Sequence, residues 1–158
     1  MFLTISTCSS LAVLPETIKI CKKEFQISDK NADILVPLGC TIHKCGGAVS
    51  FALLGIFCSK LFGIDITISS YLFMLLSALL INMAAPGIPS GGIVLGATYL
   101  SLLNIPLSFM GIYAGIYRLL DMPYTTLNVT GNVVANIVIN ENLKKLKKEN
   151  KKNENNQR

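Results

Sequence analysis

The sequence predicts an all-α membrane protein, with re-entrant helical hairpins, an interrupted transmembrane helix and a polar-striped final transmembrane helix. Three observations carry that expectation. Hydrophobic residues make up 51% of the 158 positions against 15% charged, and mean hydropathy is +0.54; a soluble globular domain is rarely so apolar. Two apolar stretches are interrupted at mid-length by glycine, proline and polar residues. Lastly, Gly111 to Asn140 reaches about 45 Å as a helix, enough to cross a bilayer. Around that helix, Asp121, Thr125, Asn128 and Asn132 fall within roughly 60° of one another. An Asp at the centre of a lipid-facing helix costs about 2.5–3.5 kcal/mol. The stripe therefore needs a protein wall or a water-filled cavity to face.

Charge is concentrated at one end. The formal net charge is +5, of which residues 141–158, with seven Lys/Arg and three Glu, supply +4. That basic polar tail reads as a solvated or frayed helical extension anchoring the cytoplasmic side, and no nucleic-acid partner is expected. The five cysteines contain no CxxC pair, which argues against a disulfide framework. Cys40, His43 and Cys45 lie close in sequence but match no zinc spacing.

In chain order, Met1 to Leu14 is a short apolar run without a basic leader, a poor signal peptide. The cluster Ser6-Thr7-Cys8-Ser9-Ser10 inside it is either a plain loop or a bend whose N–H and hydroxyl groups bind a ligand. Residues 15–33 carry four Lys and four acids and are aqueous. Ile34 to Phe62 is apolar, but Thr41 to Gly47, TIHKCGG, interrupts it. Glycines and basic residues at membrane depth are tolerated only where backbone lines a cavity. Ser69 to Met83 and Ile93 to Leu103 are apolar arms around Ala84 to Gly92, AAPGIPSGG. Both arms fall short of the roughly 20 residues of a span, so a re-entrant hairpin with its tip at mid-depth is expected. Pro123 should loosen one helical turn beside Asp121. Lys19, Lys22, Lys23, Lys30 and the tail share one side, which the positive-inside rule makes cytoplasmic. The expected layout is a first-hairpin remnant and cytoplasmic loop at 1–33, core helices at 34–140 with the second hairpin at 69–103, and the cytoplasmic tail at 141–158.

These features together resemble the C-terminal transport core of the dicarboxylate/amino acid:cation symporters, the glutamate-transporter or sodium:dicarboxylate symporter family. The likeness runs from about Leu3 to Ile139. Ser9-Ser10 followed by LAVLP resembles the serine-rich tip and second arm of the family's first hairpin. LGCTIHKCGG stands where the family has its Asn-Met-Asp-Gly-Thr break, and APGIPSGG resembles the tip of the second hairpin. LDMPYTTLNVTGN is similar to the final helix and is the most specific match.

The resemblance implies a secondary active symporter core that moves an amino-acid-like or carboxylate solute with a cation. Asp121 would accept hydrogen bonds from a solute ammonium. Asn128 and the N–H groups near Ser9 and Ser10 would hold its carboxylate, with Thr125 adjoining. Gly87, Ile88 and Gly91 belong to the tip that would close over it. A cation site would draw on Gly39, Thr41, Asn82, Met83 and Ala85, with His43, Asn128 and Asn132 at its coupling positions. Sodium or a proton is the implied coupling ion; no cofactor and no metal beyond sodium is expected. Imidazole titrates near neutrality, so His43 is the candidate proton carrier.

Departures from the family pattern narrow this reading. Tyr124 stands where the family carries the arginine that pairs with a side-chain carboxylate, which weakens the case for a dicarboxylate. His43, Cys45, Tyr117 and Asn132 occupy positions where the family has Asn, Asp and two further acids, and hard cations prefer oxygen ligands. The chain starts inside the family's first hairpin, so a separate scaffold segment or a homotrimer is the implied partner, alongside the lipid bilayer. The alternative is a truncated, non-transporting fragment or accessory subunit. An enzyme is not expected, because Cys45 and His43 lack an orienting third group. The implied location is the bacterial inner (plasma) membrane, with the C-terminus cytoplasmic.

Overall fold

A computed structural model describes residues 1–156 apart from Pro86 and Ile88. Every regular element among the described residues is helical. Helix α1 (Phe2–Thr7) ends at Cys8, whose φ of 47° turns the chain back. Helix α2 (Leu14–Lys23) has Pro15 and Glu16 in its first turn and Lys22 and Lys23 in its last, the arrangement that the proline ring and the helix dipole both favour. Helix α3 (Asp29–Ile42) is capped by Ser28, whose Oγ accepts from Asn31 N. Helix α4 (Cys45–Leu61) follows after only His43 and Lys44. Helix α5 (Ile68–Met83) is capped by Thr67 Oγ1, which accepts from Ser70 N. Helix α6 (Gly91–Leu102) and a 3-10 turn at Leu107–Phe109 lead into α7 (Met110–Asn156).

Residues 15–33, expected to be aqueous, are mostly helical: Cys21 packs with Ala32 and Val36 of α3, and Thr17, one turn before it, is also buried, while the charges stay outside. Lys22 Nζ closes that contact on Asp33 at 2.8 Å and Asp29 at 3.4 Å. Hydrogen bonding to Asp33, then to Asp29, raises the Lys22 pKa. Pro123, expected to loosen one turn, lies inside a continuous α7. It and Leu119, four residues before it, both lie on the exposed face, so the missing N–H opens no buried gap. Asp29–Leu61, taken across the break, is the one stretch among the described residues long and apolar enough to cross a membrane. The arms α5 and α6, at 16 and 12 residues, are shorter.

The break between α3 and α4 is held from outside. A helix start leaves four N–H groups without internal partners, and Lys44 provides no side-chain cap. Asn128 of α7 does so instead: its Oδ1 accepts from Gly46 N at 2.8 Å. The backbones meet so closely there that a Cβ on Gly46 would overlap the Tyr124 carbonyl oxygen.

Packing forms two apolar cores joined by α7. The larger gathers Phe51, Leu54 and Cys58 of α4, Met74 and Ala78 of α5, Tyr99 and Leu100 of α6, and Tyr113 and Tyr117 of α7. Tyr99 is its anchor, fully buried, stacked on Phe51 and donating its hydroxyl to Met74 O at 3.1 Å. The smaller core joins Cys21, Ile27, Ala32 and Val36 to Val133 and Ile137 of α7. Leu72, Leu76 and Leu80 form an outward row on α5, 58%, 61% and 65% exposed.

Tyr99→Phe should lose about 1 kcal/mol, one buried hydrogen bond, and Tyr99→Ala about 3–5 kcal/mol through the cavity it leaves. Gly46→Ala should cost about 1–3 kcal/mol, because the added methyl group forces α4 off α7. Thermal unfolding of the purified chain tests all three. Wild-type midpoints for Tyr99→Ala and Gly46→Ala would contradict this packing.

Candidate functional site

The tips and the break converge on one cavity of about 50 Å³. Its wall is drawn from four places: Cys8 and Ser10 of the first turn; Lys44, Gly47, Ser50 and Phe51 at the break; Asn82, Ala85, Gly87, Gly91 and Gly92 of the second hairpin; and Tyr117, Asp121, Tyr124, Thr125 and Asn128 of α7. The two tips touch: Ser9 Oγ donates to Gly87 O at 2.8 Å and accepts from Ala12 N at 3.1 Å. Gly87 has φ +68°, and a Cβ there would sit 2.8 Å from Ser10 Oγ and 3.2 Å from Lys44 Nζ. Only glycine supplies both that backbone and that clearance. Gly92 plays a similar part on the other side, where a Cβ would overlap the Tyr117 hydroxyl.

Among the lining residues two carry formal charge, Asp121 and Lys44. Asp121 is 7% exposed, and its Oδ1 accepts from Thr125 Oγ1 at 3.0 Å. The Ser90 backbone and the Tyr117 side chain also approach the carboxylate as hydrogen-bond partners. Lys44 is 6% exposed and donates from Nζ to Ser10 Oγ at 3.1 Å. Asn128 spends its Oδ1 on Gly46 N, so its amide –NH₂ remains a donor at the cavity wall. Chemically, the cavity offers an acid, an ammonium, an amide donor and hydroxyls within one enclosed space.

Of the positions expected to hold solute, Ser10, Gly87, Gly91, Asp121, Thr125 and Asn128 line this cavity, and Ser9 bonds its rim. Ile88 lies outside the described residues. The expected cation positions divide. Asn82 and Ala85 line the same cavity. His43, Asn132 and Asn128 line a second, smaller space of about 10 Å³ with Cys40. There the Asn132 side chain abuts Gly39, Asn132 Nδ2 donates to Val36 O at 3.0 Å, and the His43 ring abuts Gly131 with Nε2 3.5 Å from Cys45 Sγ. Thr41 and Met83 are exposed, and Thr41 Oγ1 donates to Leu38 O at 2.7 Å. These two positions are expected to contribute backbone carbonyls rather than side chains. Arg118 is also remote, with Nη2 donating to Ser6 O at 2.8 Å.

The sequence reading missed two features. Lys44 was legible as a basic residue at the break, but not as one aimed at Ser10. The polar stripe also continues past Asn132 to Asn136 and Asn140, all buried. Asn136 Nδ2 donates to Asn132 O and Oδ1, both at 2.8 Å, and Asn31 Nδ2 donates to Asn140 Oδ1 at 3.3 Å. The repeat of Asn at 128, 132, 136 and 140 would have revealed it.

The sequence is similar to known proteins over most of its length. The family model described as the sodium:dicarboxylate symporter family matches residues 1–142. The chain is 33% identical over 143 residues to the proton/sodium-glutamate symport protein of Geobacillus stearothermophilus, covering 89% of this chain and 33% of that one. Against the proton/glutamate-aspartate symporter of Escherichia coli (strain K12), identity is 31% over 139 residues, 88% of this chain and 32% of that one. Neutral amino acid transporter A of Homo sapiens is 25% identical over 144 residues, 90% of this chain and 27% of that one. The chain thus spans about a third or less of the length of these relatives. Its family is one of integral membrane transporters rather than enzymes, and the chain belongs to the sodium:dicarboxylate symporter family.

Proposed function

We propose that this chain forms the solute-binding core of a cation-coupled symporter for an amino-acid-like solute. The observation that carries the reading is the single cavity on which both tips, the break and α7 converge. In it Asp121 takes the solute ammonium, while Asn128 and the first tip near Ser9 and Ser10 take the carboxylate. The charges of an α-amino acid are complementary to those groups, and charge-assisted hydrogen bonds in a dry site are the strong ones. Gly87 and Gly91 form the tip that parts from Ser9 to admit solute. The relatives named for glutamate and aspartate, and the one named for neutral amino acids, support an amino-acid solute. Tyr124 at the cavity wall supplies no guanidinium for a second carboxylate, which favours a neutral amino acid.

The same reading places the chain in a membrane. Rows of exposed leucine such as Leu72, Leu76 and Leu80 are unfavourable in water and favourable in lipid. In it, residues 69–103 form a re-entrant hairpin, residues 1–33 comprise the remnant of a first hairpin and a cytoplasmic loop, and the basic tail beyond Asn140 lies in the cytoplasm. The coupling ion is sodium or a proton; for a proton, His43, beside Asn128 and Asn132, is the proposed carrier. Homologous scaffold helices, on another segment or chain, would hold this core in place.

Asp121→Ala tests the solute assignment. Removing the buried counter-charge should weaken amino-acid binding by on the order of 2–5 kcal/mol in calorimetry; unchanged binding would refute it. Topology has its own test. Cysteines placed at Ser69 and Asn104 should react with an impermeant thiol reagent from the same side of a vesicle, and reaction from opposite sides would replace the hairpin by two spans.

A further inference from the structure

The Lys44 side chain is the feature the symporter reading does not use. It is 6% exposed, and the described residues give its ammonium one hydrogen bond, to Ser10 Oγ, and no ion pair. An ammonium carries three N–H donors, and among the described residues Ser10 takes one of them. Gly87 closes over it from the second hairpin, where a Cβ would lie 3.2 Å from Nζ. The charge therefore sits where the two tips meet, on the wall of the same cavity that Asp121 lines.

We propose that the Lys44 ammonium is a tethered cation of the solute cavity, binding the solute carboxylate together with Ser10 and taking the place of a mobile cation on that side. This rests on the amino-acid reading above and goes beyond it. The argument is a charge count. Lys44 and Asp121 make the empty cavity neutral, and a zwitterion leaves it neutral. With a neutral residue at position 44, the loaded cavity would carry one net negative charge, which in a low-dielectric site calls for a cation. With Lys44 present, a mobile cation about 6 Å away would bind roughly a hundredfold more weakly at an effective dielectric of about 20. Solute binding by this chain should therefore need no sodium.

The experiment is calorimetry on the full chain in nanodiscs, with L-alanine, L-serine, L-aspartate and L-glutamate, in sodium chloride and in choline chloride of equal ionic strength. The wild-type chain should bind its preferred amino acid equally in both salts and reject the corresponding amide, which lacks the carboxylate. Lys44→Met should weaken binding in choline by more than about tenfold, recover affinity as sodium is added, and lose the discrimination against the amide. Lys44→Arg should retain sodium-independent binding, and Lys44→Gln replaces the methionine variant if that one does not fold. Sodium-dependent binding by the wild type, or wild-type affinity of Lys44→Met in choline, overturns the proposal. If Asp121→Ala abolishes binding while Lys44→Met keeps it, the solute reading stands and the tethered cation falls. If the wild type binds none of the four amino acids in either salt, both fall.

Discussion

The hydrogen bond from Gly46 N to Asn128 Oδ1 is the contact on which the rest of the structure depends. Breaking an apolar helix in its middle frees N–H and C=O groups that neither hydrocarbon nor an apolar core can satisfy. One amide from α7, at 2.8 Å, satisfies one of them and fixes where α4 starts. It can do so because position 46 has no Cβ and the Tyr124 carbonyl approaches its backbone. With α4 pinned to α7, the two residues of the break have defined directions. Lys44 points to the first hairpin through Ser10, and His43 points to Gly131, one turn along α7 from Asn128. The cavity walls are thus consequences of one capped helix start.

Helix α7 can serve every neighbour because its buried row is not straight. Residues four apart are offset by about 40° around an ideal helix, so a row kept at that spacing winds slowly round it. Tyr113 and Tyr117 face the larger core, Asp121 and Thr125 the cavity, and Asn132, Asn136 and Asn140 the side of α3. The chemistry of each position follows its surroundings. Aromatic rings fill the core between α4 and α6, the acid lines the cavity, and asparagines bond backbone and one another where α3 approaches. A helix-to-helix contact through amides needs both partners of each bond present, so this end specifies register as well as packing.

Much of this was legible in the sequence, and the reason differs by element. The break at His43 and Lys44 and the second tip announce themselves through glycine and proline, which act on the backbone locally. The stripe from Asp121 to Asn132 follows from helical angle alone. What could not be read depends on which element lies opposite. The helix of residues 14–23 hides under a charged outer face, because Cys21 finds an apolar partner in α3 only after folding. Pro123 reads as a break unless its exposed side is known. The direction of a lysine stem, four carbons long, is set by the tip packed over it and not by its neighbours in sequence. Asn136 and Asn140 were legible and overlooked, since their spacing continues the stripe.

The position of Lys44 also carries an electrostatic consequence of the break itself. It occupies the N-cap of α4, the end of a helix where the macrodipole is positive and where cations are unfavourable. Its burial adds a desolvation penalty, and Ser10 Oγ, a neutral dipole, offsets only part of it. Asp121 acts across the cavity, but not as a contact ion pair. The site therefore holds a buried cation with a neutral partner in Ser10 and, across the cavity, an acid bonded to Thr125. The Lys44 ammonium is held toward the first hairpin by Ser10 and the Asp121 carboxylate toward α7 by Thr125, so each charge has its own partner. The bond at Gly46 sets where α4 starts, and so where the Lys44 stem leaves the backbone toward that cavity.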